Sequence, residues 1–269
     1  MPDDLSADLI RAALGGRFGE LVRYFDDIGS TNTEGLDWAA DGAPEGSLVV
    51  ADHQTSGRGR WARSWFSVPG SLLQFSMILR PNLDPERHGL LTAGLGVATA
   101  RAIRATTGLP VKVKWPNDVV IGGRKLAGML VESTMMGSKI DAAICGIGIN
   151  VHLLPQDIPD DLLSSATSVA IELERAGTGT APPRSLLLAR IVAEIEALYP
   201  AITGNAEVLL AEAAELSAVL GHDVTVRFAD GTSLEGRAEG FDPDGALRVN
   251  TGDDAVIVHV GEIEQLRTT

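Results

Sequence analysis

KWPNDVVIGGRKLAG, residues 114–128, predicts β-strands joined by tight turns. The segment Val111–Trp115 alternates valine and lysine, as expected for a strand with one buried face. Pro116 has no N–H to donate, so it ends this strand. Asn117 and Asp118 are therefore placed on a bend at the strand end, where polar side chains can meet a ligand.

The glycine pair that follows predicts a hairpin. Val119–Ile121 and Lys125–Thr134 flank Gly122-Gly123, a strong turn signal between two apolar runs. The hairpin sets Lys125 on the strand next to that of Lys114. Two lysines that face one cleft repel each other unless an anion lies between them. A plain structural hairpin is the alternative interpretation of this motif.

Outward from this hairpin, the periodicity of apolar residues predicts a domain of strands and helices. The predicted strands are Leu21–Phe25, Ser47–Asp52, Ser71–Leu79 and Ile140–Val151. The predicted helices are Ser6–Leu14, one that opens at Ser30–Glu34 with Thr31 and Glu34 as a capping box, His88–Thr107, Arg184–Tyr199 and Ala206–Ala214. Residues 155–183 are predicted as loop with one short helix.

The C-terminal part changes character. Short strands are predicted at Val224–Phe228, Leu234–Phe241, Leu247–Val249 and Val256–Val260, with Asp-Gly turns between them. They indicate a small β-barrel from about Leu216. The predicted fold is thus α+β, with a central mixed sheet packed with helices in residues 1–215 and a barrel in residues 216–269.

Composition restricts the function. The 269 residues carry a net charge of −14, which argues against a general nucleic-acid binder. The single cysteine, Cys145, lies in an apolar run and is predicted as a buried strand residue rather than a nucleophile. No disulfide can form within the chain, no signal peptide is recognisable, and the longest uncharged run, residues 89–100, is too short for a core of ~30 Å. A cytoplasmic protein without a membrane span is predicted.

A second stretch has the composition of an anion-binding loop. GRGRWAR, residues 57–63, places three arginines and two glycines within seven residues. Arginine forks grip phosphate or carboxylate through two hydrogen bonds, and glycine lets the backbone approach a ligand. The segment lacks the spacing of a P-loop. A solvated surface turn is the alternative. We name residues 57–67 the arginine loop.

Together these stretches closely resemble the biotin–protein ligase family. The family motifs occur in order as Ser30-Thr31-Asn32, Gln54 with Gly57–Arg60 and Trp65, Lys114–Asp118, Lys125–Gly128, and Gly146–Asn150. The resemblance covers Gly29–Val151 and implies a catalytic domain like that of class II synthetases, followed by an SH3-like barrel. One departure is Ala62, preceded by Trp61, where the family usually has glycine.

The resemblance implies a reaction in two halves. Biotin and ATP give biotinyl-5′-AMP and pyrophosphate, and a lysine of a biotin carboxyl carrier protein or carboxylase domain then takes the biotin. Mg²⁺ is expected to accompany ATP, held mostly by phosphates and water. Asp118 is a candidate contact for the ion, and a turn-capping role is the alternative. The metal ligands and the oligomeric state are left open.

The resemblance also implies roles for individual residues. The expected catalytic residues are Lys125, Arg60, Lys114 and Asp118. The expected biotin contacts are Ser30, Thr31, Asn32, Gln54, Arg58, Gly59, Arg60, Lys125 and Gly128. The expected ATP contacts are Gly57, Arg58, Arg60, Arg63, Trp65, Asn117, Lys125 and Asn150. Helix capping by Ser30 and Thr31, and a core position for Trp65, are the alternatives. The arginine loop is expected to be mobile without ligand and to order over the adenylate.

Three competing functions are weighed. A lipoate or octanoate ligase is not expected to combine the two motifs. A ligase that also represses transcription needs a DNA-binding domain, and about 29 residues before Ser30 are too few for one, so no nucleic-acid partner is expected. A non-catalytic biotin-binding protein leaves the lysines and arginines without a purpose.

Overall fold

The computed structural model describes residues 4–252 and 254–265, with only the backbone of Glu264 and Gln265. Residues 1 and 269, the outer limits of the predicted domains, lie outside this range. The helices are α1 Ala7–Ala13, α2 Thr31–Ala40, α3 His88–Thr107, α4 Val169–Ala176, α5 Arg184–Thr203 and α6 Glu207–Glu215. The strands are β1 Val22–Ile28, β2 Leu48–Gln54, β3 Leu72–Leu79, β4 Lys112–Lys114, β5 Asp118–Ile121, β6 Arg124–Met136, β7 Lys139–Asn150, β8 Asp223–Arg227, β9 Ser233–Phe241, β10 Leu247–Asn250, β11 Ala255–Val258 and β12 Glu262–Gln265.

The first seven strands form one mixed sheet. Their order is β1-β2-β3-β7-β6-β5-β4. β1 pairs with β2 in parallel, and the remaining pairs are antiparallel. The predicted α+β class with a central mixed sheet is confirmed. The order also brings the ends of β2, β5, β6 and β7 towards one region, although their residues are far apart in sequence.

The core lies between this sheet and helices α3 and α5. Leu73, Phe75 and Met77 on one face of β3 are buried in it, each contributing about 1.5–3 kcal/mol of transfer free energy. Helix α3 packs closely on the sheet at Gly96, where an added Cβ would lie 3.2 Å from Val113 and Met129. No helix within the described ranges combines the length and hydropathy that a membrane span requires.

The predicted hairpin forms. Gly122 and Gly123 have φ values of 55° and 78°, the left-handed backbone that glycine favours and that a two-residue hairpin turn requires. Ile121 and Arg124 face each other at the turn. This local agreement fixes which residues of β6 lie beside β5.

The C-terminal strands form a separate five-stranded antiparallel sheet in the order β11-β10-β9-β8-β12. The prediction missed β12, because its sequence EIEQ offers only one apolar residue to a periodicity search. The predicted strand Val256–Val260 ends at Val258. Trp115 connects the two sheets, since it packs into the apolar cluster of the second sheet and donates its indole N–H to Gly245 O at 3.1 Å.

The capping box predicted at the start of α2 is wrong. The helix begins at Thr31, so Ser30 is the N-cap residue, and its side chain makes no capping hydrogen bond. Glu34 instead accepts a hydrogen bond from Arg23 on β1 at 2.6 Å. Thr31 turns toward Gln54 and Ser76. Partners from other strands therefore replaced the local cap.

Candidate active site

A cavity of about 400 Å³ lies at the converging strand ends, lined by the arginine loop and by residues 262–263 of β12. Every predicted site residue except Gly57 lines it. They are Ser30, Thr31, Asn32, Gln54, Arg58, Gly59, Arg60, Arg63, Trp65, Lys114, Asn117, Asp118, Lys125, Gly128 and Asn150. The size is within the range of small-molecule sites. The structure thus brings these residues together, and their individual roles remain predictions.

One end of the cavity is a polar network on α2 and β3. The Thr31 N–H donates to Gln54 Oε1 at 2.7 Å. Ser76 Oγ lies 2.7 Å from Thr31 Oγ1 and 2.6 Å from Asn32 Oδ1. The Asn32 amide nitrogen donates to Leu130 O and to Glu132. Asn32 Oδ1 can therefore only accept, which assigns the Ser76 proton to it.

This assignment fixes what the network offers a ligand. With the Ser76 proton on Asn32, Thr31 must supply the proton in the 2.7 Å contact between the two hydroxyl groups, in preference to its longer contact of 3.1 Å with Gln54 Oε1. The lone pairs of Thr31 Oγ1 are then available to accept an N–H from a ligand. Gln54 has one amide hydrogen beyond the one it donates to Gln74 Oε1 at 2.9 Å. The polar end can therefore bind a group that both donates and accepts, such as a urea.

The expected neighbourhood of Lys114 and Lys125 is wrong in one respect. β5 lies between their strands, so Lys125 is not on the strand next to Lys114. Asp118 faces Lys114 in the pairing of β4 and β5, and its carboxylate lies 2.6 Å from Lys125 Nζ. The anion expected between the lysines is therefore supplied by the protein. A ligand phosphate or carboxylate that approaches Lys125 competes with Asp118 for it.

The arginine loop contains regular backbone hydrogen bonds. The backbone N–H of Trp65 donates to Gly57 O at 2.9 Å, so the two ends of the loop are held together. Gly57 takes part in this contact and does not line the cavity. Within the loop, Arg58 and Ser64 form an antiparallel bridge. Trp61 and Ala62 close the tip in the left-handed region, with φ values of 54° and 58°. Such backbone costs an L-residue roughly 1–2 kcal/mol, so the departure at Ala62 is strained.

The loop is fastened to the C-terminal sheet. Arg60 Nη1 donates to Gly261 O at 3.0 Å, and Arg63 donates to both carboxylate oxygens of Glu262 at 2.5 and 2.7 Å. These hydrogen bonds lower the pKa of Glu262 and raise that of Arg63. Burial lowers the pKa of Arg60, which nevertheless keeps its charge, as arginines do in proteins. The second sheet thus forms one wall of the cavity.

Trp65 lies on the cavity wall and also packs on an apolar cluster, and its contact with ATP stays a prediction. Its ring lies against Gly128 and Gly148, where an added Cβ would come within 3.0 and 2.6 Å of ring atoms. It also packs against the apolar cluster of Leu72, Leu153, Ile158 and Ile171. Its buried indole N–H has no hydrogen-bond partner among the described residues, which leaves a donor for a ligand. Lys125 Nζ lies 5.4 Å from the ring centroid.

Asn150 lies at the end of β7 with its amide partly engaged. Its Nδ2 donates to Thr167 O at 2.8 Å, and the Thr167 N–H donates to Lys125 O at 2.9 Å. Thr167 therefore connects Asn150 with the strand of Lys125. Asn150 Oδ1 is available as an acceptor for the amino group of a base.

Sequence reasoning missed several residues of the site. Gln74 and Ser76 interrupt the apolar strand LLQFSMIL, and this was a usable signal because buried polar side chains need partners. Glu132 pairs with Arg58 at 2.8 Å, and Glu262 pairs with Arg63. Glu132 and Glu262 take part in the site only through contacts with residues distant in sequence, so no local sequence pattern indicates them.

The donor set fits only a loosely held cation. No group of three or more histidine, cysteine or acidic side chains that could bind a metal occurs among residues 4–252 and 254–265. Asp118 and Glu262 are the carboxylates on the cavity wall, and both are paired with cations. An ion such as Mg²⁺, which keeps several waters, can be held here by ligand phosphates with Asp118 as the protein contact.

Comparison with known proteins places this site in a family. Residues 24–150 match the model of the biotin/lipoate A/B protein ligase family, and residues 219–265 match that of the biotin protein ligase C-terminal domain. The chain is 34% identical over 267 residues to the bifunctional ligase/repressor BirA of Bacillus subtilis (strain 168), covering 98% of this chain and 80% of that protein.

A second curated relative and a solved structure indicate the same family. The biotin–[acetyl-CoA-carboxylase] ligase of Mycobacterium tuberculosis (strain H37Rv) is 31% identical over 268 residues, covering 98% of this chain and 94% of that protein. The structure of the biotin protein ligase from Aquifex aeolicus in complex with biotin and ATP has a TM-score of 0.76 and 26% identity, over 93% of this chain and 100% of that chain. The site geometry, the two family matches and these relatives together show that the chain belongs to the biotin protein ligase family.

Proposed function

We propose that this chain activates biotin with ATP and transfers it to a lysine of an acceptor protein. The observation that carries the proposal is the charge of the cavity. Five cations line it, Arg58, Arg60, Arg63, Lys114 and Lys125, against two carboxylates. In a chain with a net charge of −14, this local excess of positive charge indicates an anionic ligand.

In the first half-reaction, the polar end of the cavity holds the ureido group of biotin. Thr31 Oγ1 accepts a ureido N–H, and the free amide hydrogen of Gln54 donates to an acceptor on the ring. The carboxylate at the end of the apolar tail then extends toward Lys125. A carboxylate oxygen attacks the α-phosphorus of ATP, the P–O bond to the β-phosphate breaks, and pyrophosphate leaves with the electron pair.

The cations act by neutralisation and positioning. Both reactants are negatively charged, so they repel each other in water, and fixed guanidinium and ammonium groups remove that repulsion. Lys125, Arg60, Arg58 and Lys114 are the residues we assign to this task. Asp118 orients Lys125 until the ligand carboxylate or phosphate replaces it. Mg²⁺, held by the phosphates and Asp118, would neutralise further phosphate charge.

In the second half-reaction, the neutral amine of an acceptor lysine attacks the biotinyl carbonyl. The bond to AMP breaks, AMP leaves as the anion, and the amine proton goes to solvent. The mixed anhydride must be kept from water between the two steps, which the arginine loop does by covering the cavity. The acceptor we propose is a biotin carboxyl carrier protein or a carboxylase domain, as the name of the mycobacterial relative suggests.

We propose no nucleic-acid partner and no membrane association, on the support of the acidic net charge. The use of ATP supports a cytoplasmic location. We also propose that residues 1–215 and 216–269 act as catalytic and C-terminal domains, joined at the cavity by Glu262 and Gly261.

The test is ATP–pyrophosphate exchange with biotin, with lipoate and without acid. Exchange should appear with biotin alone, and Lys125→Met should reduce it by about 100-fold or more, because one charge-stabilising group is lost. The variant Lys139→Met, a lysine on β7 that bonds to Asn82 outside the cavity, is the matched control and should exchange normally. Exchange that does not depend on biotin would overturn the proposal.

A further inference from the structure

β3 carries two polar side chains on one buried face. Leu72, Gln74, Ser76 and Ile78 share this face, and all four side chains are fully buried. A buried amide is costly unless its hydrogen bonds are made. Gln74 bonds to Gln54 of the cavity wall, so its burial calls for a reason beyond packing.

The hydrogen bonds of Gln74 run in two directions. Its Oε1 accepts from Gln54 Nε2 at 2.9 Å. Its Nε2 donates to Ser67 Oγ at 2.8 Å and to Asp52 O at 3.3 Å. Both hydrogens and the oxygen of the amide are thus engaged, which fixes its orientation.

The first direction fixes Gln54. Gln54 Oε1 must face the Thr31 N–H, which can only donate, and Gln54 Nε2 must then face Gln74 Oε1. Loss of Gln74 leaves the amide nitrogen of Gln54 without its buried acceptor. The donor that Gln54 presents to a ligand would then lose its fixed direction.

The second direction reaches the arginine loop. Ser67 is the last residue of the loop, and its hydroxyl oxygen also accepts the backbone N–H of Gln54 at 3.3 Å. Gln74 and Gln54 thus hold the same hydroxyl. Gln74 therefore connects the side chain of Gln54 with the end of the loop.

We propose that Gln74 is a positioning residue, which orients Gln54 toward the ureido group of biotin and couples occupation of the biotin site to closure of the arginine loop through Ser67. The proposal rests on the proposed function in naming biotin as the ligand. It adds a residue that lines no part of the cavity and acts only through others.

The test uses direct binding, which needs no turnover. In the full-length chain, Gln74→Met should raise the biotin Kd about tenfold, the cost expected when a buried partner is lost. The Kd of ATP alone should change by less than about twofold. Trypsin cleavage after Arg58, Arg60 and Arg63, read by mass spectrometry, should be slowed by biotin in the parent and much less in this variant at saturating biotin.

Two further variants separate positioning from packing. Ser67→Ala should keep the biotin Kd within about threefold yet lose the biotin-dependent protection of the loop. Thr99→Val removes another fully buried hydroxyl, on α3, which has no hydrogen-bond partner among the described residues, and should change neither readout. Ser67→Ala also serves if Gln74→Met does not fold.

The pH dependence of biotin affinity in a third variant, Gln74→Glu, tests whether a protonated carboxyl can replace the amide. When protonated, the carboxyl of Gln74→Glu offers one O–H for Ser67 and one carbonyl oxygen for Gln54, and it lacks only the second amide donor, which bonds to Asp52 O. Its biotin affinity relative to the parent should recover as pH falls from 8 to 5.5, whereas that of Gln74→Met should stay low. Unchanged biotin affinity and protection in Gln74→Met, or an equal loss of biotin and ATP affinity, would overturn the inference. Failure of biotin-dependent exchange with intact biotin binding would instead count against the proposed reaction.

Discussion

Arg63 at the tip of the arginine loop donates two hydrogen bonds to Glu262, a residue 199 positions later on β12. The pair is exposed, with 61% and 37% of the two side chains accessible. Exposed ion pairs contribute no more than ~1 kcal/mol to the free energy of unfolding. Its effect is therefore expected on where the loop lies, rather than on whether the protein folds.

Glu262→Gln should weaken the contact between the arginine loop and β12. One oxygen and the charge are lost, so the bidentate pair becomes a single neutral hydrogen bond. We expect release of the adenylate to be about 3–10-fold faster, with less than ~1 kcal/mol change in the free energy of unfolding. Rapid filtration of the enzyme–adenylate complex measures the rate. Asp223→Asn is the control, because it removes the charge of an exposed carboxylate that pairs with Arg237 elsewhere on the second sheet, and it should release the adenylate at the parental rate. Equal release rates for Glu262→Gln and the parent would contradict the prediction.

Arg60→Gly should weaken retention of the adenylate more than its synthesis. Arg60 holds Gly261 O and lies 3.4 Å from Asn117 Oδ1, so it ties the loop to both neighbouring elements. Trapping of released adenylate by hydroxylamine, against single-turnover synthesis, gives the two rates. Arg60→Lys keeps the charge without the fork and should fall between the parent and the glycine variant. A glycine variant that releases no more adenylate than the parent would remove this role from Arg60.

Ala62→Gly should stabilise the loop as it is seen here. Ala62 lies at a φ of 58°, and glycine removes a backbone cost of about 1–2 kcal/mol there. We expect slower release of the adenylate, by about threefold to tenfold, and slower cleavage after Arg63 with biotin and ATP bound. Ala62→Val is the opposite change, because a β-branched residue is more strained at this angle. Faster release from the glycine variant would show that this loop conformation is not the closed one.

Stability should fall with acid through Asp4. Burial raises the pKa of Asp4, but hydrogen bonds from His152 and Arg184 outweigh burial and hold the pKa well below its ordinary value. A carboxylate with a depressed folded pKa stabilises above its unfolded pKa of about 4 and loses that contribution as pH falls below it. Arg184 is buried against Asp4 and Asp52, so breaking the pair is costly.

Asp4→Asn should therefore lower the free energy of unfolding by ~3 kcal/mol at pH 7. Urea unfolding at pH 7, 5 and 3.5 measures it, and the difference from the parent should shrink at the lowest pH. Asp8→Asn removes an almost fully exposed carboxylate at 3.4 Å from Arg11 and should leave the free energy nearly unchanged. A difference that stays constant down to pH 3.5 would argue against the assigned ionisation.

Several elements were predictable because their cause is local. The hairpin at Gly122-Gly123 needs only two residues that accept positive φ. The burial of β3 follows from its apolar sequence, and the fold class follows from the alternation of such runs with helical spacing. The residues that the site motifs named also line one cavity, with Gly57 as the exception.

The misses share one physical cause. Thr31 and Glu34 have the spacing of a capping box, yet Gln54 and Arg23 offered better partners from β2 and β1. β12 has no periodicity of its own, and pairing with β8 makes it a strand. In both cases an interaction with a distant segment outweighed a local preference.

Local sequence patterns set which chemical groups the protein brings to its ligand, since turn residues, strand periodicity and the arginine and lysine motifs act within a few residues of the backbone. The pairing of these groups depends on tertiary contacts. Glu262 on Arg63, Asp118 on Lys125 and Gln74 on Gln54 are contacts of about 3 Å between segments separated in sequence. Hydrogen-bond direction and charge neutralisation depend on distances of that order. Packing of the two sheets sets such distances, and no local pattern contains them.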